Sequence, residues 1–292
     1  MPQTLEKLAV YIAPAVFVVL WASGFIGAKF GLPYVEPLTF LSLRMGALVV
    51  ILGVVSLITR PQWPDAIGFR HSIIAGLLVH GVYLGGVFIA IRHKLPAGLS
   101  ALVVSLQPVL TSTIANSLLG ERVIARQWIG LGLGLLGVYL VVADKAVTGE
   151  ATAAGWVAAF CALIGITIGT LYQKRHGGAI DWRSGLLIQY AASGILFAFG
   201  ALAFENRMIH WSIELVGALA WLVLVLSLGA VWLLYFMIRH AAATRVTSLF
   251  YLTPAVTALM AWFMFGERLG WLAIAGMAVC VTGVFLVNWR TR

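Results

Sequence analysis

Along the chain, ten apolar runs alternate with short polar connections. Each run approaches the ~20 residues that an α-helix needs to cross the hydrocarbon core of a bilayer. In the first half they cover residues 8–30, 37–59, 72–91, 97–119 and 128–143; in the second half, 153–172, 185–203, 215–238, 247–265 and 271–287. The connections, among them Arg60-Pro61-Gln62-Trp63-Pro64 and His176-Gly177-Gly178, are too short to fold as soluble domains. The pattern predicts an all-α polytopic membrane protein of ten transmembrane helices, with no attached ATPase or receptor module. The first run lacks a small-residue cleavage site and is long enough to span, so it reads as a retained helix rather than a signal peptide.

The punctuation between the runs occurs twice. Sliding the chain on itself by 146 positions (254 − 108) sets Pro108 on Pro254, Gly120-Glu121-Arg122 on Gly266-Glu267-Arg268, Gly130 on Gly276 and Gly137 on Gly283, without a gap. The offset is half of the 292 residues, which divides the chain into five-helix repeats at 1–146 and 147–292. Five is odd, so the second copy enters the membrane upside down. Two inverted five-helix repeats are a plan in which one site near the midplane opens to either face as the copies exchange conformations. Orientation follows from Lys and Arg in the short loops. With the N-terminus inside, the outer segments hold Lys29, Arg92, Lys94, Lys145, Arg207 and Arg268 against twelve such residues on the inner side, including Lys7, Arg290 and Arg292, so both termini are expected in the cytoplasm.

Composition narrows the class further. Apolar residues make up 62% and charged residues 10%, against about 25% charged in soluble domains, and the mean hydropathy is +1.01. The net charge of +9 comes from basic residues placed singly in short loops, which signals topology rather than a nucleic-acid face. Cys161 and Cys280 each lie inside an apolar run, without disulfide or metal spacing, and read as small buried hydrophobes. No cofactor is implied, the expected partners are the bilayer and a small solute, and a monomer is expected.

Candidate chemistry is sought among polar groups far from the ends of the runs, because these are expensive in lipid and usually face a cavity or a partner helix. No Asp or Glu qualifies, which leaves a midplane carboxylate relay or sodium cage without support. His80 sits well inside the third run with Tyr83 three positions on, on one helix face. The pair reads as cavity-lining, donating hydrogen bonds or taking up a proton, or else as a neutral histidine satisfied by a neighbouring helix. Arg44 lies a third of the way into the second run. Its planar fork suits a substrate carboxylate, and its length equally suits snorkelling to the headgroups; its repeat counterpart is Tyr190, which makes any role asymmetric. Pro108 and Pro254 each leave a carbonyl four residues back, at Val104 and Phe250, without its helical donor, so kinks or hinges are expected there beside Gln107 and Tyr251. Trp21, Tyr172, Trp232, Tyr235 and Tyr251 complete the list of cavity candidates, with lipid-facing belt residues as the alternative. Gly130, Gly134, Gly137, Gly276 and Gly283 are expected to let the fifth and tenth helices pack closely as scaffold, and Gly81, Gly85, Gly165 and Gly169 have the same small-residue spacing. The two Gly-Glu-Arg turns read as capping and loop-anchoring elements.

These residues carry a family resemblance. Trp21-Ala22-Ser23-Gly24-Phe25 with Lys29, Pro37 through Phe40 to Arg44, and the block from Gln107-Pro108 through Gly120-Glu121-Arg122 to Gly137, with its second copy at Pro254, Gly266-Glu267-Arg268 and Gly283, resemble the EamA branch of the drug/metabolite transporter superfamily. The resemblance spans nearly the whole chain. Within the family the chain looks most like the YddG-type exporters of aromatic amino acids, a likeness that includes His80 and Tyr83. It implies a bacterial inner-membrane carrier with a central cavity between its halves.

Three classes of function compete on the residues. A secondary exporter of amino acids, aromatic and other neutral ones, would hold substrate with Trp21, His80, Tyr83, Gln107, Tyr172, Trp232, Tyr235 and Tyr251. An exporter of other metabolites or drugs keeps the fold and changes the cargo; phosphorylated cargo wants more cavity Lys and Arg than Arg44 and Lys29, and lipophilic cations want a buried carboxylate. A membrane enzyme needs a nucleophile–base pair or a metal cluster, and His80 has no intramembrane acid beside it in the sequence.

Overall fold

The structure is a computed structural model that describes residues 3–93, 95, 100, 103–119, 123–144, 152–265 and 270–289. Both Gly-Glu-Arg turns, the boundary at 146/147 and Lys94, Lys145, Arg290 and Arg292 lie outside the described residues, as do the side chains of Lys7 and Lys29.

The helices run in chain order α1 (Gln3–Gly31), α2 (Pro37–Thr59), α3 (Ala66–Gly76), a π-helical turn (Leu77–Val82), α4 (Tyr83–Arg92), α5 (Gln107–Leu119), α6 (Ala125–Asp144), α7 (Ala153–His176) and α8 (Trp182–Phe204). They continue with α9 (Ile213–Ala220), a second π-helical segment (Trp221–Ala230), α10 (Val231–His240), α11 (Ala243–Ser248), a 3₁₀ turn (Leu249–Tyr251), α12 (Leu252–Phe265) and α13 (Trp271–Asn288). Among the described residues, six helices, Pro37–Thr59, Ala66–Arg92, Ala153–His176, Trp182–Phe204, Ile213–His240 and Arg245–Met264, are long and apolar enough to cross a membrane. Ile12–Ala28 and Ile274–Val287 are shorter apolar helices.

Polar residues cap several helices, and three of these, α3, α8 and α9, begin before their apolar run does. Asp65 accepts from the Gly68 amide at 2.8 Å, Thr152 from Gly155 at 3.2 Å, Asp181 from Arg183 at 3.0 Å and Ser212 from Leu215 at 3.2 Å. Each satisfies an amide that the first turn leaves unpaired. α7 likewise runs past Tyr172 through Lys174, Arg175 and His176, where the Lys174 and Arg175 cations oppose the negative end of the helix dipole.

The prolines act differently from the expected mid-helix kinks. A turn at Ser105–Leu106 precedes α5, and Pro108 lies in the first turn of that helix, where its missing N–H interrupts nothing. Pro254 occupies the first turn of α12, directly after the 3₁₀ turn. In both places the helix restarts rather than bends.

Internal contacts divide the chain into two compact units, and each draws on both halves of the sequence. Met1–Ile26, Pro96–Gly149 and Gly229–Arg292 form one; Gly27–Leu95 and Glu150–Leu228 form the other. In the first unit α6 and α13 pack backbone to backbone, as their glycines lead one to expect. A Cβ added to Gly130 would lie 2.6 Å from the Gly283 carbonyl oxygen, and one added to Gly137 would lie 2.6 Å from that of Gly276. Between these contacts the Cys280 thiol donates to the Gly134 carbonyl at 3.6 Å. Residue numbers rise along one helix as they fall along the other, so the pair is antiparallel. Arg126 Nη2 and Gln127 Nε2 at the start of α6 donate to the Trp289 and Val287 carbonyls at the end of α13. Cys280 is buried, whereas Cys161 is exposed on α7, which corrects the expectation that both are buried: a membrane helix keeps an apolar face even where no protein covers it.

In the second unit α2 packs antiparallel on α8, with Leu38 against Gly200 and Met45 against Gly194. The Glu205 carboxylate, at the end of α8, accepts from the Leu38 amide, the Thr39 amide and the Thr39 hydroxyl, each at 2.7 Å. Glu36 returns the bond, its carboxylate accepting from the Asn206 and Arg207 amides at 2.7 and 3.2 Å and lying 3.7 Å from Arg92. α7 lies along α4 and the first π turn: Cβ atoms at Gly86 and Gly165 would meet the Ala158 and Leu78 carbonyls at 2.6 and 3.0 Å.

Candidate functional site

The strongest concentration of buried polar groups lies inside the second unit. Arg44, from α2, is 2% exposed. Its Nε and Nη2 donate to the hydroxyl of Ser227 at 2.9 and 2.7 Å. Tyr190, from α8, donates its hydroxyl to the Ser227 carbonyl at 2.6 Å. The His80 ring lies 4.7 Å from the Tyr190 ring, tilted by 48°. His80 Nε2 is left without a partner. Ser193 donates to the Gly76 carbonyl at 3.0 Å. Arg44 therefore does not snorkel: it turns inward, and its repeat counterpart Tyr190 meets it on one residue. A pair that looked asymmetric in sequence is one cluster in space.

Two local features bring these groups together. The Gly76 backbone touches α8, since a Cβ there would fall 2.5 Å from the Gln189 Cα. His80 and Ser227 both sit in π-helical segments, Leu77–Val82 and Trp221–Ala230, and under the 146-position offset the first falls within the second. π-helical turns shift the helix face by one residue and recur at functional sites. Here they rotate a histidine and a serine toward Tyr190.

Among the described residues, the cluster holds a cation and no carboxylate. Each acid whose side chain is described is engaged at a helix end: Glu36 and Glu205 across the α2–α8 ends, Asp65 as a cap, Asp181 with Arg183 at 2.7 Å and Glu214 with Ser212 and Tyr34. Asp181, outside the spans, has its carboxyl held below the usual range, chiefly by the hydrogen bond from the Arg183 side chain.

The other sequence candidates fall in different surroundings. Tyr83 is buried in the second unit beside Arg44. Tyr172 shares a 2.6 Å hydrogen bond with His71 Nδ1, and the His71 and His176 rings stack 4.1 Å apart. In the first unit Trp21 packs against Phe17 at 5.1 Å and edge-on against Phe250 at 5.2 Å, so it is part of an aromatic core. Tyr251 is fully buried, its ring over Gly134 and its hydroxyl without a partner. Gln107 and Tyr235 are buried, while Trp232 is 37% exposed and stacks on Phe236. Gln189, Ser193 and Ser227 are the polar residues that sequence reasoning passed over, and Tyr190 entered it only as the counterpart of Arg44. Gln189 and Tyr190 stand about a quarter of the way into their run and were legible as polar interruptions; Ser227 was not, because serine in such helices usually bonds back to its own turn.

The EamA-like transporter family model matches the chain twice, at residues 8–143 and 153–289. "Uncharacterized transporter YvbV" of Bacillus subtilis is 27% identical, the alignment covering 99% of this chain and 94% of that protein. "Uncharacterized inner membrane transporter YedA" of Escherichia coli is 24% identical over 92% of this chain and 87% of that one. A "Probable amino-acid metabolite efflux pump" of Salmonella typhimurium is 24% identical over 92% and 91%. A protein crystal structure shares the fold, with a TM-score of 0.79 over 96% of both chains at 18% identity.

Proposed function

The chain belongs to the EamA-like transporter family, and from that premise we propose that it exports amino acids, aromatic and other neutral ones, by alternating access. It is a multi-pass membrane transporter; the cargo, the mechanism, the bacterial inner membrane as its location and the cytoplasmic placement of both termini are our reading. The cargo is supported by the efflux-pump relative and by the likeness to YddG-type aromatic exporters at His80 and Tyr83. The mechanism is supported by one observation above others, the crossing of α6 and α13. These are equivalent helices of the two family matches, they lie antiparallel, and Gly134 bonds its own counterpart, Cys280, 146 positions on. Self-complementary contact between equivalent elements is what a two-fold relation produces, and antiparallel equivalents support the reading that one copy is inserted upside down. On this reading the chain has ten spans, in copies 1–146 and 147–292, around one alternately exposed site.

The proposed substrate contacts are Trp21, His80, Tyr83, Gln107, Tyr172, Trp232, Tyr235 and Tyr251, with Pro108 and Pro254 as hinges where the fourth helix of each copy restarts. Without an intramembrane carboxylate in the sequence, facilitated export is favoured over proton antiport through His80 or exchange. A His80→Gln variant then keeps most downhill flux, whereas complete loss with intact folding would assign His80 a proton or binding role. The test is counterflow of radiolabelled amino acids into proteoliposomes with and without an imposed pH gradient. Uptake of phenylalanine, methionine or threonine that ignores the gradient is expected. Silence across the amino acids, with movement of other metabolites, would overturn the cargo in favour of the second reading, an exporter of other metabolites or drugs.

A further inference from the structure

The guanidinium of Arg44 presents an unresolved charge. It is buried within the second unit, and both of its hydrogen bonds end on one neutral oxygen, the Ser227 hydroxyl. A buried ion is normally paired, because removing it from water is far more costly than a single hydroxyl can offset. The five described acids are committed at helix ends, as set out above. Three of the five guanidinium N–H groups are not used in these bonds. Ser227 Oγ, which accepts both, still has a proton to donate. His80 Nε2, in a ring 2% exposed, has no partner. The surroundings thus offer donors in excess and a positive charge with no opposite among the described residues.

We propose that Arg44, Ser227 and His80 form a binding site for one small monovalent anion, a carboxylate or a halide, inside the second unit. The anion supplies the missing countercharge: its oxygen or halide accepts from the free edge of the Arg44 fork, from the Ser227 hydroxyl and from His80 as the Nε2–H tautomer. Tyr190 is a positioning residue, fixing Ser227 through its carbonyl. The source is either the carboxylate of the cargo or a free inorganic anion. The first source rests on the amino-acid reading above; the second does not.

Two readouts on the purified full-length protein separate these cases. The first is the thermal unfolding midpoint in nanodiscs, in chloride, formate or gluconate at equal ionic strength. The site predicts a higher midpoint in chloride and formate than in the bulky gluconate, and a half-saturating formate concentration raised roughly tenfold or more in Arg44→Lys, which keeps the charge and loses the fork. Ser227→Ala, which retains the helix and the carbonyl that Tyr190 uses, shifts it in the same direction if Arg44→Lys fails to fold. The second is competition against labelled phenylalanine in counterflow by phenylpropionate, which lacks the amine, and phenethylamine, which lacks the carboxylate. Competition by phenylpropionate alone, lost in Arg44→Lys, assigns the site to cargo. An anion-dependent midpoint with no such preference assigns it to a free ion, and stands even if no amino acid is transported. A midpoint indifferent to the anion, together with competition unchanged in Arg44→Lys and Ser227→Ala, overturns the proposal.

Discussion

Glu205 is the residue whose removal the structure prices most directly. Helix α2 opens with Pro37, which has no amide to satisfy, so the first orphan donors are the Leu38 and Thr39 amides. Its own N-cap residue, Glu36, makes no capping bond to it. The cap comes instead from 166 and 167 residues away, as the Glu205 carboxylate takes both amides and the Thr39 hydroxyl at 2.7 Å. Hydrogen bonds to an ionised group contribute about 1.5–3 kcal/mol each when buried, and replacing an N-cap by alanine removes about 0.5–2 kcal/mol. Glu205 is half-buried, so the three bonds together come to roughly 2–3 kcal/mol after that discount. Glu205→Ala should lower the unfolding midpoint by on the order of 5–10 °C, taking about 2–4 °C per kcal/mol for a chain of this size. The assay is fluorescence-detected size exclusion after heating in detergent. Glu205→Gln keeps one acceptor oxygen but turns an NH₂ group toward the other amide, so it should recover no more than half of the loss. A Gln variant as stable as wild type would refute the reasoning, since it would mean that the ionised, two-oxygen cap contributes nothing.

Other substitutions follow from the same geometry. Gly137→Val should destabilise the α6–α13 crossing by about 1–3 kcal/mol, because its Cβ meets backbone that cannot move aside, whereas Gly53→Ala, with nothing within 4 Å of its Cβ, should be neutral or slightly stabilising in the same heating assay. Asp181 titrates below the usual carboxylate range in the folded protein, so its contribution is complete at neutral pH and is lost as pH falls through that depressed value. Asp181→Asn should therefore flatten part of the acid-side fall in unfolding midpoint, measured from pH 7 down to pH 3.

The sequence exposed the helices well, because a membrane span must be apolar over a fixed length. The second helix, 37–59, coincides with its run. Where observed helices are longer, as at Asp65 and Asp181, polar caps extend them beyond any apolar window. The glycines of α6 and α13 were legible because only small residues allow such close backbones. Arg44 was not, since its position a third of the way into the run is compatible with both snorkelling and burial, and only the neighbours decide. The π-helical turns leave no mark in an apolar run: inserting one residue into LLVHGV or WLVLVLSLGA changes which face His80 and Ser227 occupy without changing composition. That shift is what joins His80, Tyr190 and Ser227, and it hid the cluster from a residue-by-residue scan.

Opposite insertion of the two copies is tested most directly at Gln62 and Met208, exposed residues that the 146-position offset makes equivalent. In a Cys161→Ser background that retains buried Cys280, Gln62→Cys and Met208→Cys would each be treated with a membrane-impermeant maleimide, first on intact cells and then on inside-out vesicles. Inverted copies predict that Met208→Cys reacts in cells and Gln62→Cys only in vesicles. Reaction of both from the same face would contradict the inverted arrangement, and with it the alternating site between two opposed halves.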